Sequence, residues 1–485
     1  MRVLSSSWLT RQWPFWLGGL FVGIAEIVFY IGTDFEMFIV VTTGFAQMFA
    51  VTEEYVLGID WVARVYEPGI HWVIIGAVLG AALVGAAERE TRSWVHYEWR
   101  MLLLSFVGGM LFSFGTRIAG GCTTHHFLGG IPAMSIASWV VLLAGIPFAF
   151  AAFMFAMKLG LGGYFRHQDT LSVAKAHCKD GANPNPGYDP SYRPWRDPLR
   201  LALMLFLIVF FAVPLYYALF TYEIVGTLGG LGWNIAWLML SGLLLGFGIG
   251  KCGFGTECSV MAPESVFSKP GFYTKRGVPH STFMMFRSLL PLQGFMVAIV
   301  VFNLFLMFAW TTGIGVMPNA VGEAGHAGLY WGHILGGPLL AIGAVFMIGC
   351  EVRTYARLGL GYATALAALP GFYVGYLPYT LFKEQVDDAV FGEPLTDFIT
   401  IPEYLAFTVG GDEVVWAWAY SALLIALLLY AFGVGWRFLG VSLGRLLGSN
   451  TDQLVFPKPG EANAPELEPA RAAYPMPPRN AQALP

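Results

Sequence analysis

The sequence predicts an all-α polytopic membrane protein, with about ten transmembrane helices in two inverted-topology repeats that contain re-entrant or broken helices. The chain of 485 residues is 56% hydrophobic and only 12% charged, which is about half the charged share of a soluble globular protein. Its 59 glycines and 16% aromatic residues suit close helix packing and aromatic belts at the membrane interfaces. Apolar runs of roughly 20 residues, the length that spans a bilayer, recur along the chain.

The apolar runs predict ten crossings and one shorter membrane segment. The crossings lie near 13–31, 70–88, 99–117, 134–158, 200–222, 227–250, 283–311, 330–349, 360–382 and 414–440. The segment 32–52 is predicted to be re-entrant or interfacial, because a full crossing there would invert every later loop. Irregular backbone survives at membrane depth only where protein buries it or where it lines a wet cavity.

Charges in the loops orient the chain. Lysine and arginine are concentrated in 89–98, 159–199 and 251–282, whereas 312–329 has neither and 383–413 has one lysine among eight acids. Because basic loops stay inside, we expect a multi-pass protein of the cell inner (cytoplasmic) membrane with both termini cytoplasmic. No basic run indicates a nucleic-acid partner, so the lipid bilayer is the expected surrounding.

The predicted layout occurs twice, and short stretches of the two copies are alike. "GGLFVGIAEIVFY" resembles "SGLLLGFGIGKCGF", and "SFGTRIAGGCTTHHFLGG" resembles "VFMIGCEVRTYARLGLG". A single connecting crossing reverses the second copy, and glycine-rich breaks at corresponding positions predict a midplane binding site. The predicted units are a first repeat (1–158), a cytoplasmic loop and connecting helix (159–226), a second repeat (227–382), an external loop and last helix (383–448) and a disordered cytoplasmic tail (449–485).

Three of the five cysteines, Cys122, Cys258 and Cys350, fall in these breaks. Five cysteines in so long a chain do not form a disulfide framework. A lone membrane cysteine is usually a packing residue, but three in repeat-related breaks, beside glycine or basic residues, indicate a function. Cys252 could be a fourth member, whereas Cys178 lies in a hydrophilic loop and is expected to be incidental. Aligned thiols are soft, weak donors, and with the free N–H groups of helix N-termini they could pass a sulfur anion.

Charged residues and histidines in the breaks are further candidates. Arg117 lies among apolar residues and could supply positive potential or pair structurally. His126 could cap a helix or polarise a ligand, but adjacent His125 points in another direction, so the two do not share a metal comfortably. No HxxxH or CxxC pattern is present, and we expect no metal and no cofactor. Glu26 and Glu257 are candidate proton-relay carboxylates, although capping of the re-entrant segment explains Glu26 more simply.

At these residues the chain resembles the YeeE/YedE family of sulfur transporters. The family motif GxRxxGGCTSGH is met by "GTRIAGGCTTHH", which places Arg117, Gly121, Cys122, Thr123 and His126 on motif positions. Thr124 and His125 replace the motif's serine and glycine, and the first-half break "AEIVFYIGTDFE" has no cysteine. The resemblance places Cys258 in "GKCGFGTECSVMAPES" and Cys350 in "IGCEVRTYARLG". It also implies a small cytosolic sulfur-carrier protein as a partner.

We therefore predict a membrane permease, not an enzyme, for a small sulfur-containing anion, with thiosulfate as the first choice. Cys258, Cys122 and Cys350 would relay the anion at the repeat interface. Two alternatives stay open: a protein that transfers sulfur through a cysteine persulfide, and a transporter of another sulfur or selenium species. A haem-bearing membrane anchor would need paired histidines on facing helices, whereas the histidines here cluster at helix ends and breaks.

Overall fold

The computed structural model describes residues 13, 15–87, 99–159, 198–220, 233–252, 289–315 and 328–439. These residues form helices joined by turns, with only two isolated β-bridges among them. The predicted all-α membrane protein is thereby confirmed. The segment that carries Cys258 and Glu257, most of the loop 159–199 and the predicted disordered tail lie outside the described residues.

The helices follow one another in the order that the apolar runs predict. The first half contains α1 (Phe15–Gly32), α2 (Thr42–Thr52, followed by the π-helical turn Glu53–Leu57), α3 (Trp72–Ala87), α4 (Trp99–Ile118), the π-helical segment Thr124–Gly130 and α5 (Ile136–Lys158). The connecting helix is α6 (Pro198–Phe220). Then come α7 (Trp233–Cys252), α8 (Leu289–Thr311), α9 (Trp331–Phe346), α10 (Glu351–Gly359), α11 (Ala363–Leu381), α12 (Lys383–Phe391), α13 (Ile401–Thr408) and α14 (Glu413–Leu439). Each of the ten predicted crossings coincides with a helix.

Seven helical stretches among the described residues are long and apolar enough to span a membrane, and α11 with α12 makes an eighth if that bent pair is one span. The two helices of the pair meet at 83°. Proline lies inside α5, α9 and α11, which membrane helices tolerate because neighbouring groups satisfy the freed backbone carbonyls. The protein is therefore multi-pass, while the count of ten crossings stays a prediction.

The segment predicted to be re-entrant does not cross. Helix α2 has 11 residues, which at about 1.5 Å per residue give roughly 16 Å, half the thickness of the hydrocarbon core. Nine of its residues are buried, and it packs against α6 and α11. Protein thus encloses this short helix, as backbone that enters a membrane without crossing it requires.

The two halves pack in corresponding ways. Helix α3 of the first half packs against α7, and its counterpart α8 packs against α1. In the same manner α4 packs against α11, and α9 packs against α5. The short helices that follow the two breaks also make equivalent contacts, since α10 contacts α3 and Thr124–Gly130 contacts α8. Every one of these contacts has a partner in the other half, which is the pattern of an internal two-fold repeat.

Glycines at equivalent positions make the closest of these contacts. A Cβ added to Gly19 or Gly23 of α1 would collide with the carbonyls of Gly294 and Ala298 in α8. A Cβ added to Gly242 or Gly246 of α7 would collide in the same way with α3, at the carbonyls of residues 73 and 77. Small residues four apart let membrane helices approach to backbone contact. The similarity of the two glycine-rich stretches therefore has a structural cause.

Equivalent helices run in opposite directions where they meet. Gly108 of α4 lies opposite Gly343 of α9, and Gly115 lies opposite Leu339 nearer the start of α9. Helices α1 and α7 are likewise antiparallel, because the beginning of α1 meets the end of α7 and its last residue meets Trp237. A two-fold axis between antiparallel equivalents relates inverted repeats. The exact domain limits stay predictions.

A segment between α11 and α14 covers the first break. The backbone N–H of Ile136 donates to the carbonyl of Ile399 at 3.0 Å, and the N–H of Ile401 donates to the carbonyl of Met134 at 3.0 Å. The side chain of Thr400 caps α13 in a reciprocal pair with Glu403. These bonds fix the acid-rich stretch 383–413 beside Thr124–Gly130. Its placement on the external side stays a prediction.

Candidate functional site

Cys122 caps the helix that begins in the first break. Helix α4 ends at Ile118, and Gly120 then takes a left-handed conformation (φ 70°) that turns the chain. The N–H of His125 donates to the Cys122 sulfur at 3.5 Å, and the N–H of His126 donates to its carbonyl at 2.9 Å. Cys122 thus accepts bonds from the orphan donors that open a helix.

Cys350 does the same in the second break. Helix α9 ends at Phe346, and the chain turns through Ile348 (φ 59°) and Gly349 (φ 142°). The N–H of Arg353 donates to the Cys350 sulfur at 3.4 Å, and the N–H of Thr354 donates to its carbonyl at 2.7 Å. Both cysteines are therefore N-caps with the same pair of bonds. An isoleucine with positive φ is a rare and strained conformation, and such strain clusters at functional sites.

Both thiols lie inside the protein at the positive ends of short helices. The exposed fraction is 0% for Cys122 and 1% for Cys350. A helix N-terminus carries free N–H groups and a partial positive charge, so two such ends favour a negative ligand. The positive ends are most effective where water is excluded, because the low dielectric strengthens electrostatic interactions.

A buried carboxyl group joins the two breaks. Glu351, which follows Cys350 and is 1% exposed, accepts the hydroxyl of Thr42 at 2.6 Å and the hydroxyl of Tyr355 at 2.7 Å. Cys122 also lies close enough to Glu351 and Thr42 to interact with both. Tyr376 closes the cluster by donating to the backbone carbonyl of Thr42 at 3.1 Å. The start of the re-entrant α2, the first break and α10 therefore meet at one point.

Arg117 stands beside this cluster without a carboxylate partner. Its Nη1 donates to the Tyr66 hydroxyl at 2.7 Å, and its Nε donates to Thr116 at 3.1 Å. The guanidinium lies 5.3 Å from the ring centroid of Tyr66 and 5.6 Å from that of Tyr376, which gives two cation–π contacts. It interacts electrostatically with Glu351, but the described residues include no salt bridge from Arg117. A half-buried cation between two phenols can attract an anion.

The histidines of the first motif have mainly structural contacts. His126 Nε2 donates to the carbonyl of Ala119 at 2.9 Å, and its Nδ1 accepts from Ser138 at 3.2 Å. His126 thus joins the end of α4 to the start of α5, and its predicted capping or ligand-polarising role stays a prediction. The ring of His125 packs against Phe38 at 4.8 Å and occupies the space that a Cβ on Gly121 would need. Among the described residues, no group of three His, Cys, Asp or Glu side chains could hold a metal.

The remaining sequence candidates fall into different places. Cys252 lies at the end of α7, where its thiol donates to the carbonyl of Gly248 at 2.9 Å and faces Gly18 of α1. These contacts lie at the α1–α7 interface, and the place of Cys252 in the site stays a prediction. Thr123 is fully buried next to Cys122. Cys258 belongs to the part of the second break that the structure does not describe, and its place in the relay stays a prediction.

Glu26 and Arg357 hold the backbone of the breaks. Glu26 Oε2 accepts the N–H of Ile39 at 3.0 Å, just before α2 begins. It thus holds the stretch that leads into α2, whose N-cap, Val41, has no side-chain bond. Arg357 donates to the carbonyls of Met347 and Ile348 at 2.8 and 3.0 Å. These bonds satisfy the carbonyls at the end of α9, where intrahelical partners are missing.

The motifs do not single out Glu351, Thr42, Tyr355 or Tyr376 as site residues. One signal was available for Glu351 and Tyr355, because they lie four residues apart and so share a helix face next to the GC motif. No comparable signal marks Thr42, which follows the cysteine-free stretch "AEIVFYIGTDFE" of the first half. The carboxyl at the centre of the site is therefore Glu351, while Glu26 binds the backbone N–H of Ile39 before α2.

Part of the chain is similar to known sulfur-transport proteins. Residues 2–148 match the family model described as "Sulphur transport", a region that contains Arg117, Cys122 and His126. The thiosulfate transporter TsuA of Spirochaeta thermophila is 34% identical over 67 residues, which are 14% of this chain and 20% of that protein. No solved structure matches the chain. These matches confirm the resemblance to the YeeE/YedE family that the motifs predict.

Proposed function

From the sulphur-transport family match of residues 2–148, we propose that the protein is a membrane permease for a small sulfur-containing anion, thiosulfate first. The observation that carries the proposal is the pair of cysteine-capped helix N-termini, at Cys122 and Cys350, in equivalent positions of two inverted repeats. Binding at helix termini near the repeat interface is typical of transporters with this plan. The thiosulfate transporter of S. thermophila is similar over 20% of its length and supports the choice of anion.

The chemistry of the two thiols suits passage and not tight capture. A thiol is a weak donor, so an anion bound by S–H groups and helix N–H groups can leave again, as conduction requires. Arg117 adds a positive charge near Cys122, which raises the local concentration of anions. Cys258 would supply the third thiol of the relay, and Gly121 would let the backbone approach the ligand.

Transfer of sulfur through a covalent persulfide is less well supported. Reactive cysteines lie in electropositive and partly exposed surroundings, whereas Cys122 is fully buried and lies beside Glu351. A thiolate next to a carboxylate in a low-dielectric interior is electrostatically unfavourable. The neutral S–H form that donates to an anion therefore fits this site better. Delivery of imported sulfur to a cytosolic carrier protein stays a prediction from the family resemblance.

The test is uptake of labelled thiosulfate into proteoliposomes that contain the purified protein. Uptake by the intact chain, its loss in Cys122→Ala and Cys350→Ala, and its retention in Cys178→Ser are expected. Cys178 is the matched control because it lies in a hydrophilic segment away from the motifs. Full uptake by both alanine variants would refute the relay. A mass gain of one sulfur atom on Cys122 after turnover would instead support persulfide transfer.

A further inference from the structure

The carboxyl group of Glu351 has no role in a relay of thiols alone. An acid that lies beside Cys122 in the protein interior repels the anion that the thiol would bind. Its position is nevertheless well defined, since one carboxyl oxygen accepts a hydrogen bond from Thr42 on α2 and the other accepts one from Tyr355 on α10. A buried ionisable group at membrane depth is costly and indicates a function.

We propose that Glu351 binds a proton whenever the anion occupies Cys122, so that transport is coupled to protons in the same direction. The proposal rests on the permease function proposed above. A protonated Glu351 removes the like charge next to the ligand and turns the carboxyl into a hydrogen-bond donor. The anion can then accept bonds from both Glu351 and Cys122, whereas an ionised carboxylate could only accept.

The groups that face Glu351 are consistent with one exchangeable proton. Three hydroxyl groups lie near the carboxyl, those of Thr42 on α2, Tyr355 on α10 itself and Tyr376 on α11, and Cys122 supplies a thiol. Arg117 on α4 is the cation that interacts with Glu351. A single positive charge cannot neutralise both a carboxylate and an anion with two negative charges. Binding of the anion therefore favours proton uptake by Glu351, and release of the anion favours release of the proton.

The coupling has a simple cycle. A proton from the outer solution binds Glu351 as the anion reaches Cys122, and both leave toward the inner solution. The proton moves as such, and no bond of the anion is broken. At zero membrane potential, one proton per anion allows a pH difference of one unit to sustain about a tenfold accumulation of the anion, since each factor of ten in concentration corresponds to the same free energy.

The experiment measures thiosulfate accumulation and internal pH in the same proteoliposomes, with the membrane potential clamped to zero. The intact protein is expected to accumulate thiosulfate about tenfold per unit of pH difference, outside acidic, and to acidify the interior as the anion enters. Glu351→Gln is expected to lose both effects while a measurable exchange of thiosulfate across the membrane remains. Glu26→Gln is the matched control because Glu26 is equally buried but holds the backbone N–H of Ile39, and it is expected to keep the proton coupling.

The outcomes separate this inference from the proposed function. No thiosulfate exchange by the intact protein would refute the permease itself. Exchange without any effect of the pH difference, or proton-coupled accumulation by Glu351→Gln, would overturn the role of Glu351 alone. If Glu351→Gln is absent from the membrane, Glu351→Asp keeps a carboxyl and is expected to shift the pH midpoint of uptake. An unshifted midpoint in that variant would also overturn the assignment.

Discussion

Replacing Arg117 by glutamine tests whether the guanidinium attracts the anion. The side chain donates to Tyr66 and Thr116, which leaves its other N–H groups available to a ligand. A hydrogen bond to a charged group contributes about 1.5–3 kcal/mol. Because about 1.4 kcal/mol corresponds to a factor of ten in binding, we expect the KM for thiosulfate to rise about 10- to 150-fold in Arg117→Gln.

The assay is the concentration dependence of initial uptake rates in proteoliposomes, with the amount of folded protein measured in parallel. Arg117→Lys keeps the charge but loses the planar contacts with Tyr66 and Tyr376, so an intermediate KM is expected. Arg64→Gln is the control, since Arg64 is exposed and pairs with Asp60 at 2.9 Å, and surface pairs contribute little. A KM within about threefold of the intact protein in Arg117→Gln would refute the reasoning, because one lost charged hydrogen bond already exceeds that factor.

Two further predictions concern the scaffold of the site. Gly246→Val places side-chain atoms against the carbonyl of Ala77, and overpacking of this kind costs about 1–3 kcal/mol. Thermal unfolding of this variant in detergent should therefore occur at a lower temperature. The control Leu83→Val, at a 61% exposed position, should have little effect on the unfolding temperature. Arg357→Met removes the donors that hold the carbonyl of Ile348, so loss of both stability and uptake is expected. A variant with unchanged thermal unfolding and unchanged uptake would show that the turn does not need this side chain.

Local chemistry made much of the fold predictable. A run of about 20 apolar residues that must satisfy its own backbone groups in lipid has one solution, a helix. The ten predicted segments accordingly coincide with helices, and 32–52 contains the short, buried helix α2. The glycine-rich stretches of α1 and α7 are similar in sequence, because each pair of glycines allows close backbone contact with a neighbouring helix.

The site was only half predictable for a physical reason. Cys122 and Cys350 are recognisable because each follows a glycine turn at a helix end, and these are neighbours in the sequence. The hydrogen bonds of His126 and of Glu26 are also local, since their partners lie within 13 residues. The thiol of Cys252 contacts the carbonyl of Gly248 and faces Gly18, a position that depends on the helix packed against α7, and its membership of the site stays a prediction.

The sequence by itself determined that this chain is a helical membrane protein with two related halves and that thiols stand at the breaks. Only the tertiary structure showed that Glu351 lies between them, because its bond to Thr42 joins residues 309 positions apart. Hydrophobic length and glycine turns act over a few residues, whereas the carboxyl, the hydroxyls and Cys122 meet only after two inverted repeats have packed against each other. The packing of the repeats, and not any motif, therefore decides the charge that surrounds the ligand.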